Sequence, residues 1–295
     1  MNVVGIDNID VNIENWAESH NRRGSLAWRS GMADGVVSRG EHDELLVDAR
    51  GGVRLVTLNR PDAFNAADEG LHGEISRIWT ELDADPDVRA IVLTGSGGAF
   101  SAGGDLNLLE RMVEDTAVRR AIMAEAGVIV RAMTSVRVPI IAAVNGPAVG
   151  LGCSLASMSD IVLVEEDAYF ADPHVALGLV AADGGALTWP LLTSLLRAKE
   201  FIFLGDRLSA ADAVQLGLAN RVVPNGTAVE AALGLAERMA KLPPQALRET
   251  KALLNRALRT SVDSALGGAL EAEVASFDEP AFQANLARML RRKPS

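Results

Sequence analysis

The chain has 295 residues, 48% hydrophobic and 23% charged, enough for one large domain or two modest ones with a core of normal size, which excludes disorder as its resting state. A net charge of −11 and a pI of about 4.9 repel phosphate backbones, and the one dense basic run, Arg291, Arg292 and Lys293, stands at the very end, so no nucleic acid is expected as a partner. The single cysteine, Cys153, excludes an intrachain disulfide and suits a reducing cytoplasm, no apolar stretch reaches the ~18–20 residues that span a bilayer, and Met1–Asn12, with Asp7 and Asp10, does not read as a secretory signal.

Residues 1–41 show no period and read as a loosely ordered extension, with Met32 as an alternative start. A core follows over 42–226, and a helical region over 227–295. Leu45–Ala49, Gly51-Gly52 and Val53–Leu58 read as strand, turn, strand. Asp68 caps a helix whose apolar residues Leu71, Ile75, Ile78 and Leu82 lie three or four apart, and Asp83–Asp87 with Pro86 ends it. His72 reads as a surface residue of that helix, with Glu69 and Glu74 as solvated neighbours. Ala90–Thr94 is a short buried strand, and a glycine-rich loop, Gly95–Gly104, leads into a helix from Asp105. Val118–Ser135 is helical, Ile140–Val144 is a buried strand, Asn145-Gly146-Pro147 turns, and a helix starts near Leu151. Asp160–Val164 and Ala168–Phe170 read as strands. This alternation is that of an α/β protein. After Ser209 the spacing is almost wholly helical, over 228–241, 244–259 and 262–291.

Two glycine-rich turns, Ala99–Leu106 and Asn145–Cys153, each follow a buried strand and precede a helix. Glycine lets the backbone approach a ligand closely, and a helix start offers free N–H groups and partial positive charge. Two such N–H groups aimed at one point make an oxyanion hole; two tight turns without a ligand are equally allowed by the spacing. Gly150-Leu151-Gly152 departs from a dinucleotide fingerprint at Leu155, no Gly-Lys-Ser/Thr triplet marks a P-loop, and Gly152–Ala156 lacks the late histidine of a hydrolase elbow, since His174 is the last. No pair of His or Cys has metal-ligand spacing, and neither metal nor redox cofactor is expected.

The runs Leu58-Asn59-Arg60-Pro61…Asn65-Ala66, Phe100–Leu106, Ala143–Cys153 with Ser159-Asp160-Ile161, Phe170-Ala171-Asp172-Pro173…Gly184-Gly185, and Gly217–Pro224 stand in the order of the signatures of the crotonase (enoyl-CoA hydratase/isomerase) superfamily, which this chain resembles over roughly 43–290. The resemblance implies a spiral of ββα turns with a helical C-terminal trimerisation region, assembly as a homotrimer or hexamer, and an acyl-CoA thioester as substrate. It places the oxyanion amides at Gly104 and Leu151 and sets CoA against Arg60, Ala66, Ala102, Asp105 and Lys293. Apolar Leu247, Leu254 and Leu258 are expected to be partly buried between subunits.

Where the family's hydratases carry two catalytic glutamates, this chain has Ser154 and His174. A serine hydroxyl has no useful basicity near neutral pH, so ordinary hydration is in doubt. His174 with Asp183 is the replacement: an imidazole exchanges protons near neutral pH, and a carboxylate orients it or serves as a second acid/base. Their spacing is similar to that of relatives that cleave carbon–carbon bonds in β-diketones, which also use a second histidine near the position of Leu151; relatives that isomerise dienoyl-CoA carry a carboxylate close to Asp183. A degenerate protein that only binds CoA is the remaining alternative. Read without the resemblance, His174 is a packed side chain, Asp183 a turn former, Ser154 a small helix residue, Cys153 a buried hydrophobe and Arg60 a solvated charge.

Overall fold

The computed structural model describes residues 36–38 and 44–292; His20, Met32, His42 and Lys293 fall outside them. Strand β1 (Val36–Ser38) pairs antiparallel with β2 (Leu45–Arg50), although it lies in the stretch expected to be loose. β2 turns through Gly51, at a left-handed φ of 55°, into β3 (Val53–Leu58), and the two pair antiparallel. From β3 onward the large sheet is parallel. β4 (Ala90–Gly95), β5 (Ile140–Val144), β7 (Ile161–Glu165) and β10 (Arg221–Val223) complete the order β1-β2-β3-β4-β5-β7-β10. β4 and β5 are buried along their whole length, as their unbroken apolar runs require of strands covered on both faces. β6 (Ala148–Val149), β8 (Tyr169–Ala171) and β9 (Leu208–Ser209) make a small second sheet.

Between β3 and β5 run α1 (Glu69–Ala84), α2 (Leu106–Glu114) and α3 (Thr116–Ser135). Their starts are set by aspartate caps that satisfy amides with no partner inside the helix: Asp68 accepts from Leu71 N at 3.0 Å, Asp105 from Asn107 N at 2.8 Å, and Asp115 from Ala117 N at 2.7 Å. The periodicity of α1 puts Leu71, Ile75, Ile78, Trp79 and Leu82 inside. His72 is also buried, contrary to its reading as a surface residue: its Nδ1 meets Glu125 of α3 at 2.7 Å.

After β6 come α4 (Leu151–Ser157), α5 (His174–Leu177), α6 (Gly185–Leu192), α7 (Leu195–Leu204) and α8 (Ala210–Leu216). The final stretch is α9 (Ala228–Ala240), α10 (Pro244–Leu254), α11 (Arg256–Ser276) and α12 (Pro280–Arg292). One expectation holds here and one changes. The region after Ser209 is almost wholly helical, as expected, with the short β10 added in parallel to β7. The helices expected over 244–259 and 262–291 are cut differently, at Asn255 and after Ser276. Pro280, which has no N–H to donate, fits a first turn and starts α12.

One face of the large sheet packs on α1, α3, α4 and α6; the other, through Val53, Leu55, Val92, Ile141 and Leu163, packs on Ala232, Leu233 and Ala236 of α9. A third cluster joins Leu108 and Met112 of α2 and Ile122 and Met123 of α3 to Leu179, Phe277, Phe282 and Leu286. A large side chain buried this fully contributes about 1.5–3 kcal/mol, so this cluster seats α11 and α12 firmly over the segment from α5 to α6. Among the described residues no helix is long and apolar enough to cross a membrane.

Candidate active site

The two glycine turns meet backbone to backbone. Bridges join Ala67 to Gly104 and Ser101 to Ala148. A Cβ on Gly152 would lie 2.6 Å from Ser101 O, and one on Gly103, whose φ is 92°, would lie 2.9 Å from Val149 O; only glycine admits this approach. Signature asparagines brace the turns. Asn65 Nδ2 donates to Ser96 O and Ala99 O, both at 2.8 Å, and Asn145 Nδ2 donates to Gly95 O at 2.9 Å. The Ala67–Gly104 bridge uses Gly103 O and Asp105 N and skips the Gly104 amide, while Gly150 N is taken by Ala171 O and leaves Leu151 as the first free amide of α4. The amides of Gly104 and Leu151 donate to no acceptor among the described residues.

His174 starts α5 just after β8, and its ring packs beside the second turn: a Cβ on Gly150 would meet His174 Cε1 at 3.6 Å. Nδ1 lies 2.5 Å from Asp172 Oδ1, which makes Asp172 the carboxylate that orients the ring. Nε2 faces Asp183 Oδ2 at 3.7 Å, too long for a hydrogen bond but close enough for strong electrostatic coupling. Of the two roles expected of Asp183, orienter or second acid/base, the first falls to Asp172, which holds the ring, while Asp183 faces the other nitrogen. Ser154 is more than a small helix residue, since its hydroxyl donates to Asp183 Oδ1 at 2.9 Å. Asp183 is buried and does not act as a plain turn former.

Burial alone would lower the His174 pKa, but the charges of Asp172, Asp183 and Glu273 outweigh it and raise it well above the ordinary value. Burial raises Asp183, against the opposing pull of the imidazolium. Burial also pushes Glu273 of α11 up to about 8. The protonated imidazole of His174 is thus favoured, and burial makes Asp183 and Glu273 hold protons more readily than exposed carboxyls do. Cys153, in the same turn of α4, is buried, and desolvation raises its thiol well above the ordinary value, so it offers no thiolate.

Arg60 is not a solvated charge. Its guanidinium donates to Ala66 O and faces the carboxylates of Glu44 at 3.3 Å, Asp68 at 2.9 Å and Asp105 at 3.4 Å. A phosphate reaching it would have to displace one of them. Ala66 and Ala102 flank the first turn, Ala102 N donating to Phe64 O at 2.9 Å. Two site residues escape sequence reasoning. Asp172 carried a local signal, because a carboxylate two residues before a histidine can reach its ring. Glu273 carried a subtler one: it interrupts the stripe Val262, Leu266, Leu270 and Phe277 with a charge where an apolar residue would fit.

The family model for enoyl-CoA hydratase/isomerase matches residues 48–292. A short-chain-enoyl-CoA hydratase of Clostridium acetobutylicum is 32% identical over 233 residues, covering 79% of this chain and 88% of that one. The mitochondrial enoyl-CoA hydratase of Pongo abelii is 36% identical over 217 residues, 72% of each chain. A solved enoyl-CoA hydratase/isomerase from Mycobacterium paratuberculosis superposes with a TM-score of 0.81 at 48% identity, covering 83% of this chain and 98% of that one. With the α/β core, the C-terminal helices and the paired glycine turns in place, the chain belongs to the enoyl-CoA hydratase/isomerase family of the crotonase superfamily.

Proposed function

We propose that the protein acts on an acyl-CoA thioester through an enolate and moves protons with His174 and Asp183, so that its reaction is isomerisation and not ordinary hydration. The observation that carries this reading is the placement of a caged, proton-rich imidazole beside two unpaired amides. In the proposed step a carboxylate, Asp183, takes a proton from the acyl chain next to the thioester. The C–H electron pair becomes the enolate double bond, and the negative charge gathers on the thioester oxygen. The Gly104 and Leu151 amides stabilise that charge; donors preorganised in this way are worth about 10²–10³ each in rate. The imidazolium of His174 then delivers the Nε2 proton to the γ-carbon, where the electron pair of the substrate's β,γ double bond forms the new C–H bond; the enolate pair becomes the α,β double bond, the charge on oxygen re-forms the thioester carbonyl, and Asp183 passes its proton back to His174.

Ser154 stands where the hydratase resemblance puts one glutamate, and its hydroxyl serves Asp183 as a hydrogen-bond donor. The β-diketone alternative draws on the same His174/Asp183 spacing but has Leu151 in place of a second histidine. A protein that only binds CoA has no use for the buried charges around His174. Exposed Leu191, Leu195, Leu196, Phe203 and Leu204 on α6 and α7, with Leu253 and Leu254 on α10, support assembly with further copies of the chain. Leu258 instead packs on this subunit's own core.

The test is a panel of saturated, α,β- and β,γ-unsaturated acyl-CoAs incubated with purified protein in D₂O, with products identified by mass and NMR. The expected outcome is deuterium uptake with double-bond movement, and crotonyl-CoA hydration slower than by an ordinary hydratase by about 10²–10⁴-fold. Hydration at ordinary rates, or no binding of any acyl-CoA at millimolar concentration, refutes the reading.

A further inference from the structure

Glu273 sits on α11, ninety residues beyond Asp183 in sequence, and is 5% exposed. Its Oε2 accepts the amide of Ala182, the residue directly before Asp183, at 3.2 Å. Burying a carboxylate costs several kcal/mol that a nearby cation only partly offsets, and the helical stripe it interrupts would accept leucine at no such cost. Among the described residues the cation that acts on it most is the His174 imidazolium. Helix α6, packed against α11, contributes no charged residue. From α3, Arg119 is committed to Met112 O, Val274 O and Asp278. The charges that act most on Glu273 are those of His174 from α5, Asp183 from the loop before α6, and Asp172 after β8.

We infer that Glu273 is a positioning residue for the reaction, an inference that rests on the proton-transfer reading above: through the Ala182 amide it fixes the loop that carries Asp183, and by holding or releasing its own proton it sets how tightly His174 keeps the one on Nε2. With Glu273 neutral, the imidazolium faces the charges of Asp172 and Asp183 alone. Once Glu273 ionises, which burial delays until about pH 8, a third negative charge holds the imidazolium proton and the donor weakens. The alkaline limb of the reaction thus has its origin in a helix that is not part of either glycine turn.

The test is an NMR titration of the His174 imidazole in the full chain, which needs no substrate, compared across wild type, Glu273→Gln and Glu273→Asp. Glutamine keeps an oxygen for the Ala182 amide, so the fold is preserved; aspartate keeps an ionisable carboxyl as a second variant. In wild type the His174 resonances are expected to show an inflection near pH 8. In Glu273→Gln that inflection is lost and the His174 titration moves down by about one pH unit or more; in Glu273→Asp an inflection returns at a different pH. With an active acyl-CoA, Glu273→Gln is expected to move the alkaline limb of kcat while KM stays nearly constant. Identical His174 titrations in wild type and Glu273→Gln overturn the inference. Absence of acyl-CoA turnover by wild type, with the titrations differing as expected, overturns the proton-transfer reading and the catalytic half of the inference while leaving the electrostatic coupling established.

Discussion

Gly152→Ala separates two effects that the structure sets against each other. Gly152 is the second residue of α4, and alanine there favours a helix by up to about 1 kcal/mol. Against this, the new Cβ would lie 2.6 Å from Ser101 O and 2.8 Å from Ser101 Cβ, where ordinary contact begins at 3.4 Å. The neighbour that must yield is backbone, and it is committed: Ser101 O accepts Val149 N at 2.9 Å, and Ser101 N donates to Pro147 O at 3.0 Å. Overpacking of this kind costs about 1–3 kcal/mol; with the helical gain subtracted, the mid-range net loss is about 1 kcal/mol, a fall of a few degrees in Tm. The greater effect is geometric. The retreat, roughly 0.8 Å to restore ordinary contact, separates the turns that carry the Gly104 and Leu151 amides, and a displacement near 1 Å costs about 10²-fold in rate. Thermal unfolding and acyl-CoA kinetics on the same preparation measure both. A variant with a raised Tm and kcat within about threefold of wild type would refute the argument that the two turns form one rigid site.

Two further outcomes follow from the proton cluster. Asp172→Asn removes the charge that holds Nδ1; kcat is expected to fall by about 10²–10⁴-fold with KM little changed, and the His174 titration to move toward neutral pH, whereas unchanged kcat and titration would make Asp172 structural. Stability should decline as pH rises from 6 to 8, because Glu273 keeps its proton in the folded state up to about 8 against an ordinary 4.5, and the raised His174 contribution, complete below 6.5, is lost as pH rises through its folded value. The folded state then binds more protons than the unfolded one, giving a slope of up to about 1.4 kcal/mol per pH unit for each such proton; urea midpoints that rise over this range would contradict it, and Glu273→Gln should flatten the curve.

Much of the fold was legible because it is local. The aspartates at 68 and 105 cap helices wherever those helices pack, and the unbroken apolar runs of β4 and β5 announce strands covered on both faces whatever covers them. The paired glycine turns and the signature order pointed to the family for the same reason: close backbone approach restricts the residue type at the position itself. Where the reading failed, the deciding contact was distant. His72 looked solvated on its own helix and is buried only because α3 brings Glu125 to it. Arg60 looked free until chain folding gathered Glu44, Asp68 and Asp105 around it.

The proton cluster divides in the same way. The family resemblance read from the sequence pointed to His174, Asp183 and Ser154, because each stands at or near a position that the motifs mark. Only the tertiary structure decided that Asp172 holds the ring while Asp183 faces the other nitrogen, and that Glu273 arrives from a helix ninety residues further on. Which carboxylate orients an imidazole depends on side-chain directions across β8, α5 and α6, and what a buried acid does depends on the charges that packing brings around it. Neither quantity is local, so no pattern of residue types along the chain could contain it.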